Sequence, residues 1–202
     1  MAVRCVSSFM TRFLALASVL LLGATTVSAD RGRGRRPHRP HRPAPPADLG
    51  QLRDLMSACQ DAFEGDANEQ ACVATYSQSR TRSAPRPMIA ACESGMDGDA
   101  NELACLAIAV TSWQDPVAAI NACEGAFDGD ANELRCMTTM AASWLPATAV
   151  TACENGFDGD DNEQACLQTL VGTRYAPAEL VTFCEDSFDG DANELACLGQ
   201  YR

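Results

Sequence analysis

Five pairs of cysteines constrain this chain more than anything else in it. Cys59 goes with Cys72, Cys92 with Cys105, Cys123 with Cys136, Cys153 with Cys166, and Cys184 with Cys197. Every pair brackets 12 residues, and the first members stand 33, 31, 30 and 31 residues apart. Self-similarity at a fixed period of this size marks a repeat architecture, in which one unit cannot bury its apolar face alone and stacks on the next. Five such units fill residues 48–202.

Within a unit the pattern is helical. Apolar residues sit three before and four after the first cysteine: Met56, Cys59, Phe63 in the first unit, Ile89, Cys92, Met96 in the second, Ile120, Cys123, Phe127 in the third, then Val150, Cys153, Phe157 and Val181, Cys184, Phe188. That spacing is one face of an α-helix. Pro85, Pro116, Pro146 and Pro177 each lie seven residues ahead of a first cysteine, and Pro is favoured at the first helical position because its missing N–H is harmless there. Asp115 is placed to cap the third unit, and Asp48 to start the first. A Gly is expected to close each of these helices in the left-handed conformation: Gly65, Gly98, Gly129, Gly159 and Gly190. The next residue is always Asp, and the third beyond it always Glu: Asp66 with Glu69, Asp99 with Glu102, Asp130 with Glu133, Asp160 with Glu163, and Asp191 with Glu194. Asp-x-x-Glu is a capping-box variant, with Asp as N-cap of a second helix and Glu at N3. Both carboxylates then face the positive end of that helix. Each unit reads as two antiparallel helices joined by a very short turn.

The cysteines fit that hairpin. In the third unit the midpoint of Cys123 and Cys136 falls in the Gly129-Asp130 turn, so the two side chains oppose each other. A disulfide needs Cα atoms about 4.4–6.8 Å apart, closer than ordinary helix axes at about 8–10 Å. Ala58, Ala91, Ala122 and Ala152 beside first cysteines, and Ala71, Ala104, Ala165 and Ala196 beside second ones, are small enough to permit it. Pairing within each unit is expected; pairing between units is the alternative. A loop of this size contributes roughly 3 kcal/mol through lost chain entropy. The expected fold class is therefore all-α, an α-solenoid of five antiparallel helical hairpins, each with an internal disulfide. This architecture resembles secreted, cysteine-rich, tetratricopeptide-like repeat proteins whose helical hairpins carry internal disulfides. The tetratricopeptide pattern of Trp, Leu-Gly and Tyr is absent, and the period of about 31 is shorter than 34. The resemblance implies a fold and no particular partner.

The segment before the repeats has a different character. Arg4 and Arg12 make a positive start, Phe13 to Gly23 is apolar, and Val27-Ser28-Ala29 places small residues before Asp30. Residues 1–29 are thus expected to be a cleaved signal peptide. Its loss removes Cys5 from a total of 11 cysteines and leaves an even ten, as disulfides in an exported chain require. Export to the periplasm or the cell exterior is the expected localisation. No later segment is long and apolar enough to suggest a membrane span. Residues 30–47 read DRGRGRRPHRPHRPAPPA, an Arg/Pro/His-rich stretch expected to be a disordered arm. Six Arg and one Asp give the arm a charge of +5, whereas seven Arg and 26 acidic residues give residues 48–202 a charge of −19. The arm reads either as a solvated linker or as an electrostatic tether for an envelope polyanion. The acidic body is a poor match for nucleic acid.

The catalytic vocabulary is small. There is no Lys, and both His residues, His38 and His41, lie in the arm. A P-loop needs Lys, zinc hydrolase sites usually need several His, and a Ser-His-Asp triad needs one in the folded body. No C-x-x-C occurs, so the cysteines read as structural. An enzyme is not expected. Two binding signals remain. Asp128, Asp130 and Asn132 have the opening spacing of an EF-hand loop, but Glu133 stands where that loop needs Gly, and Thr139 where it needs its last Glu. Capping explains the carboxylates without metal; weak calcium binding is the alternative, and no other cofactor is implied. Trp113 and Trp144 both lie eight after the second cysteine, where Arg174, followed by Tyr175, stands in the fourth unit. These four residues read either as packing between hairpins or as a binding surface with aromatic and Arg anchors. The function expected is a non-enzymatic, exported interaction scaffold that binds a protein or envelope component through its solenoid surface, the alternative being a calcium-binding acidic repeat protein. The fifth unit has no obvious polar capping helix, which leaves self-association open.

Overall fold

The computed structural model describes residues 49–79, 83–112 and 114–202. The expected signal peptide and arm fall outside the described residues, as do Asp48 and Trp113. Among the described residues the regular structure is all helical. The helices are α1 (Leu49–Ala62), α2 (Asp66–Ser77), α3 (Pro85–Gly95), α4 (Asp99–Ala109), α5 (Pro116–Ala126), α6 (Asp130–Ala142), α7 (Thr148–Gly156), α8 (Asp160–Leu170), α9 (Pro177–Ser187) and α10 (Asp191–Gly199). None is long and apolar enough to cross a membrane.

Consecutive helices form five antiparallel hairpins. The odd-numbered helices pack on one another in chain order, and so do the even-numbered ones, so the hairpins stack as a two-layer α-solenoid. All five cysteine pairs are disulfides within a hairpin. Cys59 is bonded to Cys72, Cys92 to Cys105, Cys123 to Cys136, Cys153 to Cys166, and Cys184 to Cys197, with Cα–Cα distances of 5.7–5.8 Å. The alternative of pairing between hairpins is thereby set aside: each second cysteine, Cys72, Cys105, Cys136, Cys166 or Cys197, faces the first cysteine of its own hairpin. The sulfurs lie in a single apolar core that runs through the stack with Met88, Ile89, Leu106, Ile120, Leu167 and Leu170. At the last junction α7 and α9 come very close: a Cβ added to Gly156 would lie 2.8 Å from Val181 Cγ1 of the next hairpin.

The helix starts follow the sequence in part. Pro85, Pro116 and Pro177 are first helical residues, and Asp115 caps α5, its carboxylate accepting from the N–H groups of Val117 and Ala118 at 3.1 and 3.4 Å. Pro146 departs from this rule. Its carbonyl and that of Ala147 accept i+3 bonds from Ala149 and Val150, so a tighter turn precedes α7, which begins at Thr148.

The turns correct the expected caps. The five glycines do not close the first helices. Each first helix ends with the apolar residue four after its cysteine, in extended conformation at Met96, Phe127, Phe157 and Phe188, with its N–H bonded back to the cysteine carbonyl at 3.0–3.1 Å. Gly65, Gly98, Gly129, Gly159 and Gly190 are instead the N-caps of the second helices, with φ from +82° to +88°. Asp66, Asp99, Asp130, Asp160 and Asp191 are therefore first helical residues rather than N-caps, and Glu69, Glu102, Glu133, Glu163 and Glu194 sit one place further in than a capping box would put them. The reason is steric and electrostatic at once. Gly takes the left-handed φ that a side chain resists, and in the four inner cases the Asp carboxylate is engaged elsewhere.

Candidate interaction surface

The engagement of those carboxylates builds the most regular feature of the surface. Each turn reads Gly-Asp-x-Asn-Glu. The Asn amide donates to the carbonyl of the residue four earlier: Asn68 to Glu64, Asn101 to Asp97, Asn132 to Asp128, Asn162 to Asp158 and Asn193 to Asp189, at 3.0–3.1 Å. The same amide also donates to the first-turn Asp of the following hairpin: Asn68 to Asp99, Asn101 to Asp130, Asn132 to Asp160 and Asn162 to Asp191. Both acceptors are oxygens, so the NH₂ end must face them. The Asp97 N–H adds a bond to Asp130 at 3.2 Å. A ladder of Asn-to-Asp bonds thus ties the turn at every inner junction to the next.

Outside the ladder lie the exposed carboxylates of Glu64, Asp97, Asp128, Asp158 and Asp189, one per hairpin along the turn edge. Behind it lie Glu102, Glu133, Glu163 and Glu194, each only 6–7% exposed. Burial raises the pKa of all four, and the adjacent first-turn Asp raises each further. Glu163 is pushed up to about 7 by desolvation, then by Asp160 and Glu154, against the lowering pull of the Gly159 N–H. The Oε2 atoms of Glu102, Glu133 and Glu163 are buried without a hydrogen-bond partner. Burial disfavours the charged form of each of these carboxyls and favours the neutral one.

The calcium alternative gains nothing from this arrangement. Asn132 presents its amide hydrogens to Asp128 and Asp160, and Asp130 accepts from Asn101 and Asp97. Asn132 and Asp130 are thus engaged in the ladder, the Asp130 carboxylate by N–H donors, while the Asp128 carboxylate is exposed outside it. Among the described residues no group of three or more His, Cys, Asp or Glu side chains is placed to hold a metal ion.

The aromatic positions separate. Trp144 is 79% exposed, while the adjacent Leu145 is buried. Arg174 is exposed. Tyr175 is also exposed and meets the edge of Tyr201 at 5.5 Å, and Phe183 meets the same ring at 6.0 Å. Trp113 lies outside the described residues. Sequence reasoning missed the ladder: of its asparagines it singled out only Asn132, and that as a possible calcium ligand. The ladder's signal was an Asn at the same place in all five turns, two after the Asp. Two exposed ion pairs also bridge hairpins, Arg86 to Asp61 at 2.9 Å and Arg135 to Asp161 at 3.2 Å. No protein-family model, curated protein or solved structure matches the chain.

Proposed function

We propose that the chain is a non-enzymatic interaction scaffold that acts outside the cytoplasm and engages a basic protein or envelope component through the turn edge of its solenoid. The observation that carries this reading is the row of exposed carboxylates, one per hairpin, on an edge stiffened by the Asn–Asp ladder. A regular, rigid array of like charge favours a partner whose own charges can be spaced to match, because little ordering entropy remains to be lost on the scaffold side. Five disulfides support export, since such bonds persist in oxidising compartments. Exposed Trp144 is a second, apolar anchor, of the kind that dominates interface energetics.

The test is retention of envelope proteins on the immobilised chain. The captured partner should be released by moderate salt and lost when Asp97, Asp128, Asp158 and Asp189 are changed together to Asn. Capture that ignores both salt and these four substitutions defeats the reading.

A further inference from the structure

The two end faces of the stack carry the two halves of a junction that the molecule already makes four times internally. Position by position, burial shows which face each residue serves. Three before the first cysteine, Ile89, Ile120, Val150 and Val181 are at most 2% exposed, whereas Met56 of the first hairpin is 47% exposed. Four after it, Phe63, Met96, Phe127 and Phe157 are at most 5% exposed, whereas Phe188 of the fifth hairpin is 46% exposed. The first position is thus covered by the preceding hairpin and the second by the following one. Val73 and Glu69 follow the same rule, being less buried than their counterparts in later hairpins. Met56, Glu69 and Val73 border a groove of about 280 Å³ between α1 and α2.

The polar groups are complementary in the same sense. Asn193 bonds only its own Asp189 carbonyl, while Asp66 of the first hairpin lacks the Asn that its four counterparts receive. At the first inner junction Arg86 reaches the Ser57 hydroxyl at 3.0 Å and the Asp61 carboxylate at 2.9 Å. The equivalent of Arg86 on the first hairpin is Arg53, and the equivalents of Ser57 and Asp61 on the fifth are Thr182 and Asp186. All three are exposed. The second, third and fourth junctions have no such trio, since Val117, Ala147 and Ala178 stand at the Arg position. One difference is steric. Phe183 stands where the other hairpins carry Ala, is exposed, and would need room in the facing groove.

We propose that these faces bind each other, so that molecules associate head to tail: α9 and α10 of one copy seat on α1 and α2 of a second. Phe188 and Phe183 meet the Met56–Val73 groove, Asn193 donates to Asp66, and Arg53 pairs with Asp186 beside Thr182. The contact is heterologous, so its product is a filament or a ring, not a closed two-fold dimer. Each repeat region carries −19, and added salt screens that repulsion, so association strengthens with ionic strength.

Sedimentation of the full chain with its disulfides formed tests this. Its average mass should rise with concentration and with salt. Met56→Glu blocks one face and Phe188→Glu the other, so each variant alone should sediment as a single chain with unchanged helicity and melting. Mixed together they should form a species of two chains and no larger, because one good face of each remains. Should Phe188→Glu not fold, Asp186→Arg, on an exposed residue facing Arg53, takes its place. A wild-type chain that stays single at every concentration and salt overturns the proposal, and the faces then belong to the segment before Leu49 or to another protein. Association of either variant alone at wild-type strength also overturns it, since that is a like-to-like contact.

Discussion

Asn132 brings two donors and no charge to a place where a carbonyl and a carboxylate both need one. Replacing it with Ala leaves Asp160 short of a donor and should destabilise the stack by about 1–2 kcal/mol, read from denaturant unfolding. Asn193→Ala is the control. With no following Asp to serve, it should change stability by less than about 0.5 kcal/mol. Equal losses at the two positions would mean that the local carbonyl bond, not the ladder, carries the energy. Behind the ladder, Glu163 has a folded-state pKa raised from 4.5 to about 7. The folded chain therefore holds a proton that the unfolded chain has released across that window. Stability is highest below it and falls as pH rises from 4.5 to about 7. Glu102, Glu133 and Glu194 shift in the same direction. Glu163→Gln should raise the melting temperature at pH 8, leave it little changed at pH 4, and flatten the pH profile between. A profile as steep as the wild type's would place the titration elsewhere. These buried carboxyls were legible in sequence as first-turn acids. Their raised pKa was not, because it depends on the preceding hairpin that covers them.

At the scale of the hairpin, the cysteine pairing and the two-helix unit were readable from spacing within one copy, and the period from comparing the five copies. The caps were misread by one residue. Asp serves well both as N-cap and in the first turn, and only the backbone angle of the Gly before it distinguishes the two. The ladder was hidden for another reason: its reach is set by the spacing between hairpins, which no single copy encodes. Glycines divide the same way. Gly156 and Gly125 are both in odd-numbered helices, yet a Cβ on Gly156 would meet Val181 at 2.8 Å, whereas one on Gly125 would meet nothing within 4 Å. Gly125→Ala should stabilise by about 0.4–1 kcal/mol, and Gly156→Ala should destabilise by about 1–3 kcal/mol through overpacking. Thermal melts of the two variants decide between this contrast and a uniform effect of helix propensity. Removing the central disulfide with Cys123→Ala and Cys136→Ala should cost about 3 kcal/mol and broaden the melt, because stacked repeats couple only to their neighbours.

Across the whole molecule, charge gives the two proposed associations opposite responses to salt. A basic partner on the turn edge should leave as salt rises, while head-to-tail contacts between acidic bodies should tighten. A salt titration followed by both capture and sedimentation therefore tells them apart in one preparation. The disulfides add a consequence of another kind. Every one closes a loop inside its hairpin, with partners 13 residues apart, and none ties a hairpin to its neighbour. Pulled from its ends, the stack has no covalent resistance at the junctions, and within each unit only the residues between the two cysteines are covalently shielded. It would lengthen by parting at its four inner junctions and unwinding the helix segments outside the cysteines, while the turn-side loop of each hairpin stays out of reach of the load.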